Sequence, residues 1–394
     1  MPINLTVDHS AYKNGVAQED NEFILTQDQE NALKRIDRWF NNKYSSPIWK
    51  KFFVLAGSAG TGKSSLVQYI IKYLRLNELD VHSCALTGKA SLNLQRKGTN
   101  SSTIHKIFYN CRIETDGSYT FYRKDHVPYK LIIIDEASMI SEAMFDDILS
   151  FGIPTIFIGD HCQLPPIEGK FNIMKKPDFT LTTILRQAAK SPIIRASQLV
   201  IKGQRIPYCN FQGFRKIKLS DLEDSDLLWA DQIIVGTNAV RHGLNDLIRE
   251  IKGYKNMPPQ KDERMIVLRN NPWLRICNGQ IIYLESEPKY SSEYGCYYAD
   301  WVDELEKQDA FIATVSDPKS FRFKLQNPNP LTTDNQFAYL DYGYAISCHK
   351  SQGSGWEKVL VYDDGFGFDQ DTKRRWLYTA ITRAKKEICI VSAK

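Results

Sequence analysis

The sequence predicts an α/β protein with two parallel sheets covered by helices, and a smaller β-barrel inserted in the second. Three observations support this. Short apolar runs, several ending in an acid, alternate with amphipathic runs. The alternation restarts after Leu181, and it is interrupted by short strands with turn residues and little helix. Continuous apolar strands separated by helices are typical of parallel sheets with both faces buried, and short strands with turns are typical of small barrels.

Size and composition agree with this fold class. At roughly 150 residues per domain, the 394 residues predict two or three domains. The hydrophobic share of 42% and the charged share of 25% are ordinary for a soluble enzyme, and no apolar run is long enough to span a membrane. The eight cysteines form no C-x-x-C pair, which argues against a zinc ribbon or a disulfide scaffold and favours a reducing cytosol. A net charge of +5 points only weakly to nucleic acid.

The first folded element is predicted to be a helix that Thr26 caps, because Leu33, Ile36 and Phe40 recur at helical spacing. Residues 1–22 have no apolar core, which predicts a flexible tail rather than a signal peptide. A strand over Phe52–Ala56 follows, then a glycine-rich loop, a helix and a second strand near His82–Leu86. A helix over KASLNLQRK and the strands LIIIDEAS and TIFIGD complete the first unit, residues 23–180.

The second unit is assigned to residues 181–262 and 336–394. Its predicted strands are DQIIVGTN, KVLVYDD and EICIVSA, and its helix is RRWLYTAITRAKK. The predicted insert, residues 263–335, contains the short strands ERMIVLRN, NGQIIYLE, AFIATVSD and SFRFKLQ.

GSAGTGKS, which spans Gly57–Ser64, fits G-x-x-x-x-G-K-[ST] between a strand and a helix, the context that a phosphate-binding P-loop requires. Backbone amides of such a loop surround the phosphates, and the helix N-terminus adds positive potential. Lys63 is predicted to reach the β- and γ-phosphates, and Ser64 to bind Mg²⁺. Nucleotide contacts are predicted along Gly57, Ser58, Ala59, Gly60, Thr61, Gly62, Lys63, Ser64 and Ser65.

Two acids end the strand LIIIDEAS, where the carboxyl end of a parallel strand faces the nucleotide crevice. Asp135 is predicted to hold Mg²⁺, and Glu136 to polarise the attacking water. Together with the P-loop these residues indicate a nucleoside triphosphatase, without indicating what the hydrolysis drives.

Five segments occur in a fixed order: GSAGTGKS, DEAS, GDHCQLPPI (Gly159–Ile167), CHKSQGSGW (Cys348–Trp356) and YTAITRAKK (Tyr378–Lys386). In this order they resemble the superfamily 1 DNA helicases, specifically the RecD/Dda-like branch, and the resemblance covers nearly everything after Leu25. It implies two RecA-like motor domains, an SH3-like insert, and 5′-to-3′ movement on single-stranded DNA driven by ATP and Mg²⁺.

The resemblance also implies roles for single residues around the nucleotide. Gln29 matches the adenine-reading glutamine, Gln163 the γ-phosphate sensor, and Gly353 a nucleotide contact. Arg383 matches an arginine finger from the second domain and Arg186 a second arginine facing the phosphates. A cation delivered across a cleft stabilises the charge that gathers during phosphoryl transfer.

The predicted DNA track joins segments of both units. The first unit contributes ALTGKAS and SSTIHKIF, in which Thr87, Lys89, Thr103 and His105 are the expected backbone contacts. The second contributes Ser347, His349, Lys350 and Ser351. Small hydroxyls, amides and lysines suit sequence-independent binding. ALTGKAS lacks the proline usual at this point in the family, which puts a stacking contact there in doubt. Trp356 is expected in the core.

A hairpin is predicted within residues 107–126, because alternating runs flank the turn Asp116–Gly117. Relatives carry a strand-splitting pin here, so Tyr119, Phe121 and Tyr122 are expected to stack on the first base pair. A surface hairpin without that role is the alternative. In the insert, Trp273 and Asn278 are predicted to contact the pin or the DNA.

The expected partners are single-stranded DNA and junctions between single and double strands, with replication, repair or recombination proteins as further possibilities. A monomer in the cytoplasm of a bacterium or a phage-infected cell is expected. Two alternatives stay open at this point: an RNA-directed helicase, and an ATP switch that binds DNA without unwinding it. Glu136, Gln163 and the two arginines disfavour the switch, because a switch does not need a water-activating acid.

Overall fold

The computed structural model describes residues 24–42, 49–113, 119–166, 171–269, 271, 276, 278–291, 296–303, 312–316 and 338–392. Four predictions lie outside these residues: the tail 1–22, the turn Asp116–Gly117, the strand SFRFKLQ and Trp273. Within the described part of the chain, no helix combines the length and the apolar character that a membrane span needs.

The first α/β unit alternates strands and helices as predicted. Its elements, in chain order, are α1 (Gln27–Asn41), β1 (Phe52–Gly57), α2 (Lys63–Tyr73), β2 (Val81–Ala85), α3 (Gly88–Arg96), β3 (Ser101–Thr103), α4 (Ile104–Phe108), β4 (Tyr109–Ile113), β5 (Tyr119–Arg123), β6 (Leu131–Asp135), α5 (Glu142–Ser150), β7 (Thr155–Gly159) and β8 (Phe179–Leu181).

Six of these strands form one parallel sheet in the order β3-β2-β6-β7-β1-β8. Apolar clusters cover both faces, one under α1 and α2 and the other under α4 and α5. Thr26 caps α1 as predicted, and Leu33, Ile36 and Phe40 are buried. Because β1, β6 and β7 are neighbours, the loops after their carboxyl ends meet at one edge of the sheet. β4 and β5 form a separate antiparallel hairpin.

The second α/β unit and the inserted strands make up the remainder. In chain order the elements are α6 (Arg186–Ala189), α7 (Pro192–Ile201), β9 (Cys209–Phe211), β10 (Phe214–Lys218), α8 (Asp224–Trp229), β11 (Gln232–Val235), α9 (Asn238–Ile251), β12 (Arg264–Val267), β13 (Ile281–Leu284), β14 (Lys289–Ser291), β15 (Cys296–Asp303), β16 (Ile312–Ser316), β17 (Leu340–Tyr342), β18 (Ala345–Ser347), α10 (Cys348–Ser351), β19 (Trp356–Asp363), α11 (Gln370–Ile381) and β20 (Ala384–Ser392).

The second sheet has the order β18-β11-β19-β20-β10-β9 and is parallel except for the edge strand β9. A third, antiparallel sheet has the order β14-β15-β13-β12-β17, with β16 on β15. Its strands fall between β11 and β18 along the chain, although β11 and β18 pair with each other. The predicted boundary before residue 336 is too early, because β17 pairs with β12 and extends the inserted sheet to Tyr342.

A buried ion pair joins the inserted sheet to the second unit. The Arg249 guanidinium contacts both carboxylate oxygens of Glu263, at 2.8 and 3.1 Å, and Tyr344 donates to the same carboxylate at 3.1 Å. Burial, and then the Glu263 charge, raises the pKa of the Tyr344 hydroxyl well above its ordinary value, so this hydroxyl keeps the proton that it donates. Removing one partner of such a pair leaves a buried charge uncompensated, which costs about 3–5 kcal/mol.

Candidate nucleotide cleft and nucleic-acid track

The P-loop follows β1 and turns back into α2. Gly60 (φ 83°) and Gly62 (φ 77°) adopt left-handed backbone conformations that side chains disfavour. A Cβ added at Gly62 would lie 2.6 Å from Gln29 Nε2, so the loop has no room for one. This geometry presents backbone amides at the N-terminus of α2, as an anion site requires.

The Lys63 ammonium lies inside this loop. It donates to the Ser58 carbonyl at 2.8 Å and lies 3.8 Å from Asp160 Oδ2. The Thr61 hydroxyl donates to the same carbonyl at 2.9 Å. The loop is therefore held in its curved form by its own side chains, with a cation at its centre.

Gln29 connects the P-loop to α1. Its side chain is fully buried, and Nε2 donates to the Thr61 carbonyl at 3.2 Å. Oε1 accepts the Thr26 amide at 2.9 Å and completes the cap of α1. These bonds place Gln29 beside the P-loop, where the resemblance put it; adenine recognition stays a prediction.

The two acids at the end of β6 are oriented by an unusual backbone. Glu136 has a left-handed φ of 54°, and its amide donates to Asp135 Oδ1 at 2.9 Å. Burial raises the pKa of the Glu136 carboxyl; Arg383 and Lys63 oppose the shift, and Asp135 and Asp160 add to it. Glu136 is thus a stronger base than an ordinary exposed carboxylate.

A tyrosine that sequence reasoning did not single out crosses the cleft. Tyr378 in α11 is buried, and its hydroxyl donates to Asp160 Oδ2 at 2.6 Å while accepting the Ala59 amide of the P-loop at 2.7 Å. Both Asp160 and Tyr378 lie in segments that carried the family resemblance, GDHCQLPPI and YTAITRAKK. The sequence alone did not reveal that these two residues are in contact.

The loop after β7 is anchored in the second unit. The Leu164 side chain belongs to that unit's apolar core. Its amide donates to Thr379 Oγ1 at 2.9 Å, and its carbonyl accepts Gln352 Nε2 at 3.0 Å. Next to it, Gln163 is buried, and its Oε1 has no hydrogen-bond partner among the described residues. An unsatisfied buried acceptor beside the P-loop is consistent with the predicted sensor role.

The two arginines differ in their setting. Arg383 is buried, and its guanidinium donates to Thr379 O, Ser354 O and Thr382 Oγ1 at 3.0–3.1 Å, all within the second unit. Its charge nevertheless acts on Glu136 across the cleft. Arg186 is exposed at the start of α6, and its neighbour Ala188 packs against Gly60. The segment that contains Arg186 therefore lies beside the P-loop, and the Arg383 charge lies close enough to act on Glu136.

The structure places Gly353 against the first unit, and its nucleotide contact stays a prediction. A Cβ added there would lie 2.9 Å from Thr87 Oγ1 and 3.4 Å from Ala90 Cβ, so the backbone of Gly353 packs on the start of α3. Nearby, the Lys89 ammonium lies 4.5 Å from the centroid of the Trp356 ring, which is in the core as expected. Gly353 therefore contributes close packing between the two units.

In the first unit, Thr87 and Thr103 cap α3 and α4, where their hydroxyl oxygens accept backbone amides. Each hydroxyl can still donate its proton. Burial lowers the pKa of His105, so this side chain is suited to stacking or hydrogen bonding rather than to charge pairing.

The second unit's track segment is only partly accessible. Ser351 is fully buried and donates to the Cys348 carbonyl at 2.7 Å. Its prediction as a DNA contact is wrong for this structure, because the hydroxyl is used inside α10. Ser347 is the N-cap residue of α10, and burial lowers the pKa of His349. Burial, and then the Arg241 charge, lowers the pKa of Lys350 to about 8.

Asn245 is a further residue that sequence reasoning missed. It is buried in α9; Nδ2 donates to the carbonyls of Tyr342 and Ala345, at 2.9 and 3.3 Å, and Oδ1 accepts the Ala345 amide at 2.7 Å. It thereby fixes the chain between β17 and β18, just before the track segment of the second unit. Its signal in the sequence was its place in AVRHGLN, the segment that follows the predicted strand DQIIVGTN.

The β4–β5 hairpin lies beside a track residue. Phe121 and Tyr122 are exposed, and the Phe121 ring centroid is 5.3 Å from that of His105. Tyr109 donates to Asp147 at 2.8 Å and ties the hairpin to α5. Of the insert residues, Asn278 is exposed in a turn, and the adjacent Gly279 lies close to the backbone of α10.

Two protein families match parts of the chain. Residues 48–215 match a family described as AAA domain, and residues 342–391 one described as UvrD-like helicase C-terminal domain. The chain is 26% identical to the ATP-dependent RecD2 DNA helicase of Deinococcus radiodurans, over 85% of this chain and 46% of the relative. It is 23% identical to the ATP-dependent DNA helicase dda of Enterobacteria phage T4, over 93% and 99%.

The chain thus spans less than half of the RecD2 relative and nearly all of the phage one. Among solved structures, Bacteroides Pif1 bound to ssDNA has the same fold, with a TM-score of 0.54 at 17% identity over 94% of this chain and 92% of that one. Two family matches in the expected order, relatives along most of the chain and a shared fold lead to one conclusion. The chain carries an AAA domain and a UvrD-like helicase C-terminal domain, and along most of its length it resembles the RecD/Dda-like branch of the superfamily 1 helicases.

Proposed function

We propose that this chain is an ATP-dependent DNA helicase that translocates 5′ to 3′ on single-stranded DNA and unwinds duplex DNA. One observation carries the proposal: the candidate hydrolysis site is divided between two units. The P-loop, Asp135 and Glu136 belong to the first unit, whereas Tyr378 and Arg383 belong to the second. A site divided in this way makes hydrolysis depend on domain closure, which is how a motor couples chemistry to movement.

The residues present fit ATP with Mg²⁺. The curved P-loop backbone can surround phosphates, and Lys63 supplies a cation. The buried Gln163 Oε1 lacks a hydrogen-bond partner among the described residues. The Ser64 hydroxyl and the Asp135 carboxylate are the oxygen donors that Mg²⁺ prefers. When bound, the ion neutralises phosphate charge.

In this proposal Glu136 orients the attacking water and accepts its proton, which its raised pKa favours. Lys63 and Arg383 balance the charge on the transferred phosphoryl group from opposite sides of the cleft. Gln163 senses the γ-phosphate, and Gln29 recognises the adenine base. Arg186 adds positive charge facing the phosphates from the edge of the cleft.

The DNA would run over the other side of the same interface, across α3 and α4 of the first unit and α10 of the second. Leu164 ties the loop after β7 to α11, so opening of the nucleotide cleft would shift the two halves of the track relative to each other. We assign the hairpin over residues 107–126 as the pin, and the inserted sheet, extended to Tyr342, as an SH3-like domain. Trp273 and Asn278 would lie near the strand.

The names of the relatives support DNA as the polymer, since RecD2 and dda are both named as ATP-dependent DNA helicases. The related Pif1 structure is described as bound to ssDNA. We infer that the chain acts as a monomer at junctions between single and double strands, with replication, repair or recombination proteins as candidate partners.

Strand displacement on forked substrates tests the proposal. We expect unwinding with ATP and Mg²⁺ when the fork has a 5′ tail, and little when it has only a 3′ tail. ATPase stimulation by DNA and RNA homopolymers, measured in parallel, separates a DNA motor from an RNA-directed one. ATP hydrolysis without displacement of either substrate would indicate a switch and contradict the proposal.

A further inference from the structure

Charge is distributed unevenly along the chain. Residues 179–220 contain no Asp or Glu and eight Lys or Arg residues, whereas the whole chain carries 51 cations and 46 acids. The other 352 residues therefore hold 43 cations and 46 acids, a net charge of −3, although the chain as a whole is at +5. The entire positive excess of the protein comes from this one stretch.

Much of the stretch faces solvent on the second unit. It runs from α6 through α7 into the β9–β10 hairpin. Arg195 and Lys202 are exposed and seven residues apart, so they lie on one face of α7 and its C-cap. Arg205 follows and is also exposed. Acids from other elements lie around the stretch: Asp371 pairs with Arg375 at 2.6 Å, Asp226 pairs with Arg215 at 2.8 Å, and Glu387 lies beside Gly213.

Two aromatic rings project from the same region. Tyr208 is 53% and Phe211 56% exposed. Phe211 pairs in register with Phe214, and Cys209 with Lys216, so Phe211, Lys216 and Lys218 share one face of the hairpin. The Lys216 ammonium lies 5.0 Å from the Tyr208 ring centroid. Cations and aromatic faces are thus interleaved.

This surface is separate from the motor track. β9 is at one edge of the second sheet and β18, which leads into the track segment of α10, is at the other. Five strand intervals of about 4.8 Å each separate them by roughly 24 Å. One strand segment in the track therefore leaves the hairpin surface free for a second segment.

We propose that this surface, residues 195–218, binds a second segment of single-stranded nucleic acid outside the motor track. The inference rests on the proposed function for the identity of the polymer. Lysine and arginine neutralise phosphates, and the exposed rings of Tyr208 and Phe211 stack on bases. Exposed rings on the protein favour a single strand, whose bases are free to stack on them. In a duplex the bases are already stacked on each other, and an acidic protein needs no aromatic partner.

Two double variants test the proposal, Tyr208→Ala with Phe211→Ala and Arg205→Glu with Lys218→Glu. All four side chains are exposed or at the sheet edge, so folding is expected to survive, as thermal unfolding would verify. The probes are a short oligothymidylate that fills only the track and a long one that reaches both surfaces. As a matched control for net charge, Lys255→Glu with Lys261→Glu changes two exposed lysines beyond α9.

We expect the aromatic variant to bind the long strand about tenfold more weakly, since stacking is worth about 1–3 kcal/mol per base. The charge variant should lower the slope of log K against log salt by about 0.7 for each phosphate that it no longer neutralises. Binding of the short strand, and the ATPase that it stimulates, should not change in either variant, and the control should behave like the parent chain.

Unchanged affinity for the long strand in both double variants would overturn the inference. Equal decreases in affinity for short and long strands would also overturn it, because the surface would then be part of the track. A larger decrease for duplex than for single strands would point to backbone binding without stacking and would count against it too. A parent chain whose ATPase ignores both strands would instead contradict the proposed function, while the binding comparison still decides this inference.

Discussion

Glu136 carries the most direct prediction at the scale of single residues. Replacing it with Gln keeps the volume of the side chain but removes the base. We expect ATP hydrolysis to fall at least about a hundredfold, while ATP and DNA still bind. Steady-state turnover and nucleotide-binding titrations measure the two effects separately. An unchanged kcat would move the role of the base to another residue.

The Lys350 side chain predicts that DNA affinity and stability both depend on pH. Burial, followed by Arg241, lowers its pKa to about 8, so the ammonium loses its proton between pH 7 and 9. If Lys350 holds a DNA phosphate, affinity falls across that interval. Stability responds in the opposite direction: between about 8 and the ordinary value of 10.5 the unfolded chain binds more protons, so the free energy of unfolding rises with pH.

Lys350→Arg is the control for this prediction, because arginine stays charged at these pH values. Its DNA affinity should be flat between pH 7 and 9 where the parent's declines. A parent affinity that does not change over this range would rule out Lys350 as a phosphate contact.

At the scale of elements, the loop after β7 predicts how the two units communicate. Leu164 is buried in the core of the second unit, and a Leu→Ala change at such a site costs about 2–5 kcal/mol. We expect Leu164→Ala to keep ATP and DNA binding but to weaken the stimulation of ATPase by DNA severalfold. Leu149→Ala in α5, which is partly buried in the first unit, is the control and should leave the stimulation ratio intact.

The hairpin predicts a division between unwinding and translocation. We expect replacement of Tyr119, Phe121 and Tyr122 by Ala to slow duplex unwinding strongly. Stacking of one aromatic ring on a base contributes about 1–3 kcal/mol, which offsets the loss of about 1.4 kcal/mol of stacking per base-pair step. ATPase stimulated by single strands and the translocation rate should stay within about twofold. A parallel fall in both would make the hairpin a structural part of the motor.

Some of these elements could be predicted from the sequence and others could not, for physical reasons. The buried strands β1, β6 and β7 and the helix after Thr26 follow from apolar runs and a cap, which are local signals. The edge strands β9 and β17 were missed, since three-residue strands at a sheet edge carry little pattern. The P-loop and the two acids could be predicted because each is local. The meeting of Ala59, Asp160 and Tyr378 could not, because it joins residues far apart in the chain.

For the whole molecule, the track predicts binding that is electrostatic and nearly indifferent to sequence. Its accessible groups are hydroxyls, imidazoles and lysines from both units, which suit phosphate and sugar rather than base edges. Affinity for single strands should fall with salt at about 0.7 in log K per phosphate neutralised. Affinities for different homopolymers should agree within a few-fold, and a strong preference for one base composition would contradict this picture.

The contacts across the cleft have a consequence for how the two halves can diverge in evolution. On the first unit's side they are largely backbone groups: the Ala59 amide, the Leu164 amide and carbonyl, and the His161 carbonyl that accepts Arg375. On the second unit's side they are side chains. Substitutions at Ala59 and His161 therefore leave the donors and acceptors in place, whereas nearly any change at Tyr378 or Arg375 removes one. Mutational tolerance should therefore be asymmetric, with constraint concentrated on α11 and substitutions tolerated at Ala59 and His161.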